Sequence, residues 1–185
     1  MSNANPDFSN RDAATGVDEL FLQRWSPRAF SKDVVPAQDL RAIMDAARWS
    51  PSAYNEQPWR FYTSTAESHE RFLSLLVEAN QRWASSAPVL GFVVASTQFE
   101  RNGKDNAHAV FDTGSAWMAV NLQAARMGYH VHGMAGILYD DVYSVLELDP
   151  QQHRVICGFA LGRVDIGADE PITSRKVLKD VWVTV

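Results

Sequence analysis

A helix that is apolar on nearly every side has to be covered on nearly every side. Residues from about His108 to Met127 read as such a helix, stopped by Gly128. Val110, Phe111, Ala116, Trp117, Met118, Ala119, Val120, Leu122, Ala124, Ala125 and Met127 wrap most of its circumference instead of forming one stripe. A sheet can cover one side. In a chain of 185 residues, which suits one domain, a second copy of the chain is the natural cover for the other.

The rest of the chain alternates helix and strand. Residues 1–16 are polar and read as a flexible arm, leaving 17–185 as a single domain. A short helix is expected over Asp18–Arg24, with Asp18 as N-cap and Ser26-Pro27 as breaker. Another is expected over Pro36–Trp49, where Leu40, Ile43, Met44 and Ala47 recur at helical spacing. Ser50–Pro58 is a loop bracketed by prolines, and Trp59–Thr63 a strand. Glu67–Gln81 reads as one helix, and Pro88–Ser96 as a buried strand with a near-continuous apolar run. After the polar loop Gln98–Asn106 and the long helix come a strand over Tyr129–His132, a helix over Asp140–Leu148, a strand over His153–Leu161 and a C-terminal segment from Pro171. The class is α+β. No Gly-x-Gly-x-x-Gly follows a strand and no Gly-Lys-Ser/Thr loop exists, so neither standard nucleotide-binding loop is present.

Composition narrows the partners. Charged residues make up 21% of the chain and the net charge is −5, so the basic footprint of non-specific nucleic-acid binding is missing. No apolar run reaches the roughly 20 residues of a membrane span, and the polar start lacks the apolar core of a secretory signal. The cytoplasm is the expected location. The single Cys157 lies in the apolar run Val155–Phe159 and reads as a buried, inert thiol.

Four segments carry chemistry. Arg24-Trp25-Ser26-Pro27-Arg28 places two guanidiniums and a hydroxyl at a turn, suited to a phosphate; read alone, two Arg near a turn are more often solvated surface charges. The loop around Pro51-Ser52-Ala53-Tyr54-Asn55-Glu56-Gln57 can run beside a planar ligand, or simply connect helix to strand. His132-Gly133-Met134-Ala135-Gly136 lets backbone approach a ligand, or turns. Thr173-Ser174-Arg175-Lys176 is a basic pair with the same two readings.

Taken in order, these segments resemble the nitroreductase family. Arg-x-Ser-x-Arg is followed by Ser-Pro-Ser-x-x-Asn-x-Gln-Pro-Trp, then Arg82-Trp83-Ala84 leading to Ala87-Pro88-Val89-Leu90. Asp112-Thr113-Gly114 and Asn121-Leu122 follow, then the His132–Gly136 run, Gly158-Phe159-Ala160-Leu161-Gly162 and Arg175-Lys176. The resemblance spans residues 18 to 180. It implies an α/β sandwich with a mainly antiparallel central sheet flanked by helices, in an interlocked homodimer with FMN at the interface. It further implies that Arg24, Ser26, Arg28 and Arg175 hold the FMN phosphate and ribityl. Pro51, Ser52, Ala53, Asn55 and Gln57 would line the flavin from the other subunit, with Met134, Ala135 and Gly136 beside the ring. The implied activity is hydride transfer from NADH or NADPH through FMN to a nitroaromatic, quinone or similar acceptor, in two steps. A flavin reductase or dehalogenase of the same family, or a flavin-binding protein without turnover, are the other readings.

The chain departs from many members by being short between Gln81 and His108, where helical insertions shape substrate pockets, and by carrying Met134-Ala135 where some members have a polar residue. Both bear on substrate. His130 and His132 are read as pointing to opposite faces of their strand, and with no Cys or carboxylate cluster nearby no metal site is expected. Asp112 is read as a helix cap or a buried hydrogen-bond acceptor.

Overall fold

The computed structural model describes residues 6–165, 167 and 170–185. Four antiparallel strands form one sheet in the order β1-β2-β4-β3. They are β1 (Trp59–Thr63), β2 (Val89–Ser96), β3 (His130–Met134) and β4 (His153–Gly162). The apolar run of β2 becomes a central strand buried on both faces. Its side chains alternate as the pleat requires: Leu90, Phe92 and Val94 join one core, and Val89 and Val93 the other. A bulge opposite Val93/Val94 inserts Ile156 into β4. The extra residue shifts the parity, so Val155 joins the same core as Ala160 despite the odd spacing.

Each face is covered by helices. The first core packs under α3 (His69–Leu73), α4 (Glu78–Ala84) and α6 (Tyr139–Val145). The second packs under α2 (Ala37–Asp45) and α5 (Ala109–Arg126). Ahead of α2 lies α1 (Glu19–Gln23), capped by the Asp18 side chain on the Leu20 amide at 2.8 Å. Gly91 is fixed by packing, because a Cβ there would overlap the Phe159 ring and the Tyr62 carbonyl on the two flanking strands.

Three expectations need correction. The helix expected over Glu67–Gln81 is two helices, α3 and α4. Between them the backbone bonds to a distant segment: Val77 N–H donates to the Gly136 carbonyl at 3.1 Å and Leu138 N–H to the Leu75 carbonyl at 2.8 Å. Leu76 forms a bridge with Ile137. A tertiary pairing thus replaces the local helical bonds. The helix over Pro36–Trp49 tightens into a 3-10 turn over Ala46–Trp49. Finally, His130 and His132 share a face, as residues two apart on a strand must. Both rings meet the segment between α1 and α2, His130 at Trp25 with ring centroids 5.8 Å apart and His132 at the Pro27 carbonyl.

The long helix is α5, and in the single chain only one side is covered. Ala116, Val120 and Ala124 face the sheet, whereas Val110, Phe111 and Met118 are exposed, Phe111 to 79%. Among the described residues no helix is long and apolar enough to cross a membrane. The expected arm falls partly on residues 1–5, which lie outside the described residues. Residues 6–16 form no helix or strand, but Arg11 donates to the Leu22 carbonyl and, at 3.0 Å, to the Arg24 carbonyl.

Candidate functional site

The arginine turn begins where α1 ends. Arg24 leaves the helix in an extended conformation, and its guanidinium reaches the Ser26 hydroxyl at 3.4 Å. Pro27 is buried, while Ser26 and Arg28 are exposed on either side. The turn is held by a residue from far along the chain. The Glu170 carboxylate accepts the Arg28 N–H at 2.8 and 2.9 Å and the Ala29 N–H at 2.6 Å. Nothing local marks Glu170 for this role, because the two partners are 142 residues apart.

His132 approaches the same turn from β3. The Pro27 carbonyl is an acceptor, so the ring nitrogen facing it at 2.8 Å must be N–H, which leaves Nε2 as the free acceptor in the neutral ring. Burial lowers the His132 pKa, and the Arg28 charge lowers it further against opposing bonds to Pro27 and Ser26 and the Glu170 charge. At neutral pH this side chain therefore offers an acceptor. Trp83 stands against it with centroids 4.7 Å apart and also stacks on Phe30 at 6.4 Å. Arg175 bonds within its own segment, to the Thr173 hydroxyl and the Ser174 carbonyl, both at 2.9 Å. It is close enough to Arg24 for its charge to lower the Arg24 pKa, second to burial. Among the described residues none of Arg24, Arg28 and Arg175 is in an ion pair. Three of the four segments singled out in the sequence thus converge, bringing Arg24 and Arg175 towards each other beside a turn whose backbone the Glu170 carboxylate holds.

The Ser52–Gln57 loop sits elsewhere in the single chain. It is built on strain: Tyr54, Asn55 and Gln57 have φ of 54°, 58° and 52°. Non-glycine residues in that region cost about 1–3 kcal/mol each and persist where surrounding contacts over-determine them. Here the contacts are the Ala53 N–H to Asp112 at 3.0 Å and the Gln57 N–H to the Ser52 hydroxyl at 2.9 Å. A third is the Glu100 N–H to the Glu56 carboxylate at 2.6 Å. Asp112 is thus the buried acceptor of the two readings offered for it. The exposed Tyr54 ring meets Phe99 at 5.7 Å, and the Arg101 guanidinium lies 4.4 Å over Tyr54. A polar cavity of about 360 Å³ opens beside the loop, lined by Glu56, Gln57, Arg60, Phe99 and Glu100 among others.

The remaining expected site residues divide. Met134 is a β3 residue with its side chain in the core, so only its backbone faces outward. Ala135 is exposed. Gly136 is glycine for packing: a Cβ would lie 2.7 Å from both Asn80 Nδ2 and Val77 Cγ2, and its carbonyl takes bonds from both residues. Pro51 is exposed on the loop. Cys157 is partly buried, and burial raises its thiol pKa to about 11.

The geometry can be set beside known proteins. The model of the nitroreductase family matches residues 21–82 and 66–163. A solved structure described as an oxidoreductase containing FMN is 39% identical, with a TM-score of 0.86 over 99% of this chain and 96% of that one. A CLA biosynthesis enone reductase of Lactiplantibacillus plantarum is 24% identical over 95% of each chain. A chloronitrobenzene nitroreductase of Comamonas testosteroni is 38% identical over 63 residues, 34% of this chain and 28% of that protein. The four-stranded antiparallel sheet, the helices on both faces and the match across residues 21–163 agree: this chain belongs to the nitroreductase family.

Proposed function

We propose that the chain binds FMN as a homodimer and passes reducing equivalents from NADH or NADPH to an electron-poor acceptor, such as a nitroarene or quinone. The observation that carries this reading is the approach of Arg24 and Arg175, with the Ser26 hydroxyl in reach of Arg24 and Arg28 two residues on in the same turn, none of the three cations being in an ion pair among the described residues. A phosphate monoester fits that donor set, because guanidinium forks pair with its oxygens. The similarity to an oxidoreductase containing FMN supports it.

In this reading Arg24, Ser26, Arg28 and Arg175 anchor the phosphate and ribityl. Pro51, Ser52, Ala53, Asn55 and Gln57 of the partner subunit line the flavin, and the Met134–Gly136 backbone runs beside the ring. The flavin supplies the hydride chemistry, and the protein supplies position and field. The strained loop, pinned by Asp112, presents its donors without reorganisation. Neutral His132 offers an acceptor beside the arginine turn. The exposed side of α5 supplies the subunit contact. A second acceptor class, electron-poor C=C bonds, is favoured by the end-to-end match to the enone reductase.

The test is spectroscopic. The protein reconstituted with FMN should keep twin flavin absorption bands through gel filtration at dimer size, and bleach when NADH or NADPH is added without oxygen. Arg28→Ala should lose flavin on dialysis, since a charge-assisted bond worth about 1.5–3 kcal/mol is removed. A wild-type protein that retains no flavin overturns the reading.

A further inference from the structure

Between β2 and α5 the chain makes a short hairpin. Gln98 bridges Asp105, Phe99 N–H donates to the Lys104 carbonyl at 2.8 Å, and Gly103 takes the left-handed position near the tip with φ of 66°. The hairpin is fastened to the strained loop three times. Glu100 N–H donates to the Glu56 carboxylate at 2.6 Å. The Phe99 ring meets the Tyr54 ring edge-on at 5.7 Å. The Arg101 guanidinium lies over both rings, 4.4 Å from the Tyr54 centroid and 5.2 Å from that of Phe99. Arg101 and Tyr54 are nevertheless exposed, Tyr54 to 76%. Among the described residues Arg101 is in no ion pair, although Glu56, Glu100 and Asp105 are near it in the loop and hairpin. Phe99 also lines the polar cavity of about 360 Å³, whose charged lining is Arg60, Glu56 and Glu100.

We propose that Arg101, seated on Tyr54 and Phe99, is a specificity-determining residue that receives the carboxylate of an electron-poor aromatic acid. The inference rests on the proposed function, in which the loop carrying Tyr54 lines the flavin. A guanidinium held over an aromatic face keeps a fork of N–H donors that matches a carboxylate in pairs. The charges lining the cavity do not themselves select an anion, so the selective group is the guanidinium beside it. The cavity is at the small end of ligand sites, which span about 300–1,000 Å³; that suits one substituted ring better than a dinucleotide. The bland role is a cation–π contact that staples the hairpin. It gives no reason for Tyr54 to stand at φ of 54° with its ring mostly in water, where Asn or Gly would sit with less strain. Strained residues of this kind gather at ligand clamps.

The test uses the FMN-loaded protein and two probes, 4-nitrobenzoate and nitrobenzene, that differ only in the carboxylate. Their dissociation constants on the oxidised protein are read from the shift each causes in the flavin absorption bands. Wild type is expected to bind the acid more tightly, and Arg101→Gln to lower that preference about fivefold, the size of one exposed ion pair. Arg101→Lys, which keeps the charge and loses the fork, should fall between the two. Tyr54→Asn, which suits the left-handed backbone, should also lower the preference by unseating the guanidinium. An unmoved preference in Arg101→Gln overturns the inference. So does equal weakening of both probes, which makes the hairpin a scaffold only. A changed ratio of flavin reduction by NADPH and NADH, with the acid preference unmoved, gives Arg101 to the donor's phosphate and overturns it as well. A wild type that retains no flavin is the failure of the flavin reading; it takes this inference with it and is seen in the spectrum before any probe is added.

Discussion

The amide of Ala53, in the strained loop, donates to the carboxylate of Asp112 in the first turn of α5, at 3.0 Å. Asp112 is only 4% exposed. The unsatisfied N–H groups at the start of a helix favour a negative charge there, and the loop amide supplies the carboxylate's hydrogen bond. Asp112→Ala should cost about 1–3 kcal/mol, the penalty for stranding a buried donor, whereas Asp112→Asn keeps an acceptor and most of the stability. Urea denaturation of the two variants checks this. Equal losses would mean that the charge matters and not the bond.

Gly136 joins α4 to the chain after β3. Gly136→Ala should destabilise by about 1–3 kcal/mol through overpacking, because its Cβ falls 2.7 Å from Asn80 and Val77. Thermal unfolding of the protein without cofactor measures that cost directly. A variant as stable as wild type would show that Asn80 gives way freely.

Stability should fall in mild acid because of His130. Burial, then the Arg24 charge, lowers its pKa from 6.5 to about 4. Above pH 6.5 both folded and unfolded forms are neutral and the shift has no effect. Below it the unfolded chain takes up a proton that the folded ring refuses, and the loss grows until the folded pKa is reached. Over that window it amounts to about 3 kcal/mol. Urea midpoints taken between pH 7 and 4 should decline more steeply for wild type than for His130→Gln. Parallel curves would assign the acid sensitivity to other groups.

The uncovered side of α5 gives an association test. Phe111 is 79% exposed in the single chain, so Phe111→Asp should leave the folded subunit intact and shift sedimentation from dimer to monomer. A dimer that persists at micromolar concentration would place the subunit contact elsewhere.

What the sequence determined by itself was what local physics decides. The apolar run of β2 and the span of β1 follow from burial and from flanking prolines, and the α1 N-cap from Asp18. The all-round apolarity of α5 marks a helix whose second side the single chain leaves bare. The order of the segments showed the family. Tertiary structure decided what depends on partners distant in the chain. Residues 74–77 leave the helix because Gly136–Leu138 offers their backbone other bonds. Val155 changes face because of a bulge. Glu170 and Arg11 reach the arginine turn from opposite ends of the chain. Side-chain periodicity records which face of an element is dry, and capping residues record where it ends. Neither records which distant carbonyl a guanidinium will find, because that pairing exists only once the sheet has brought the two ends of the chain together.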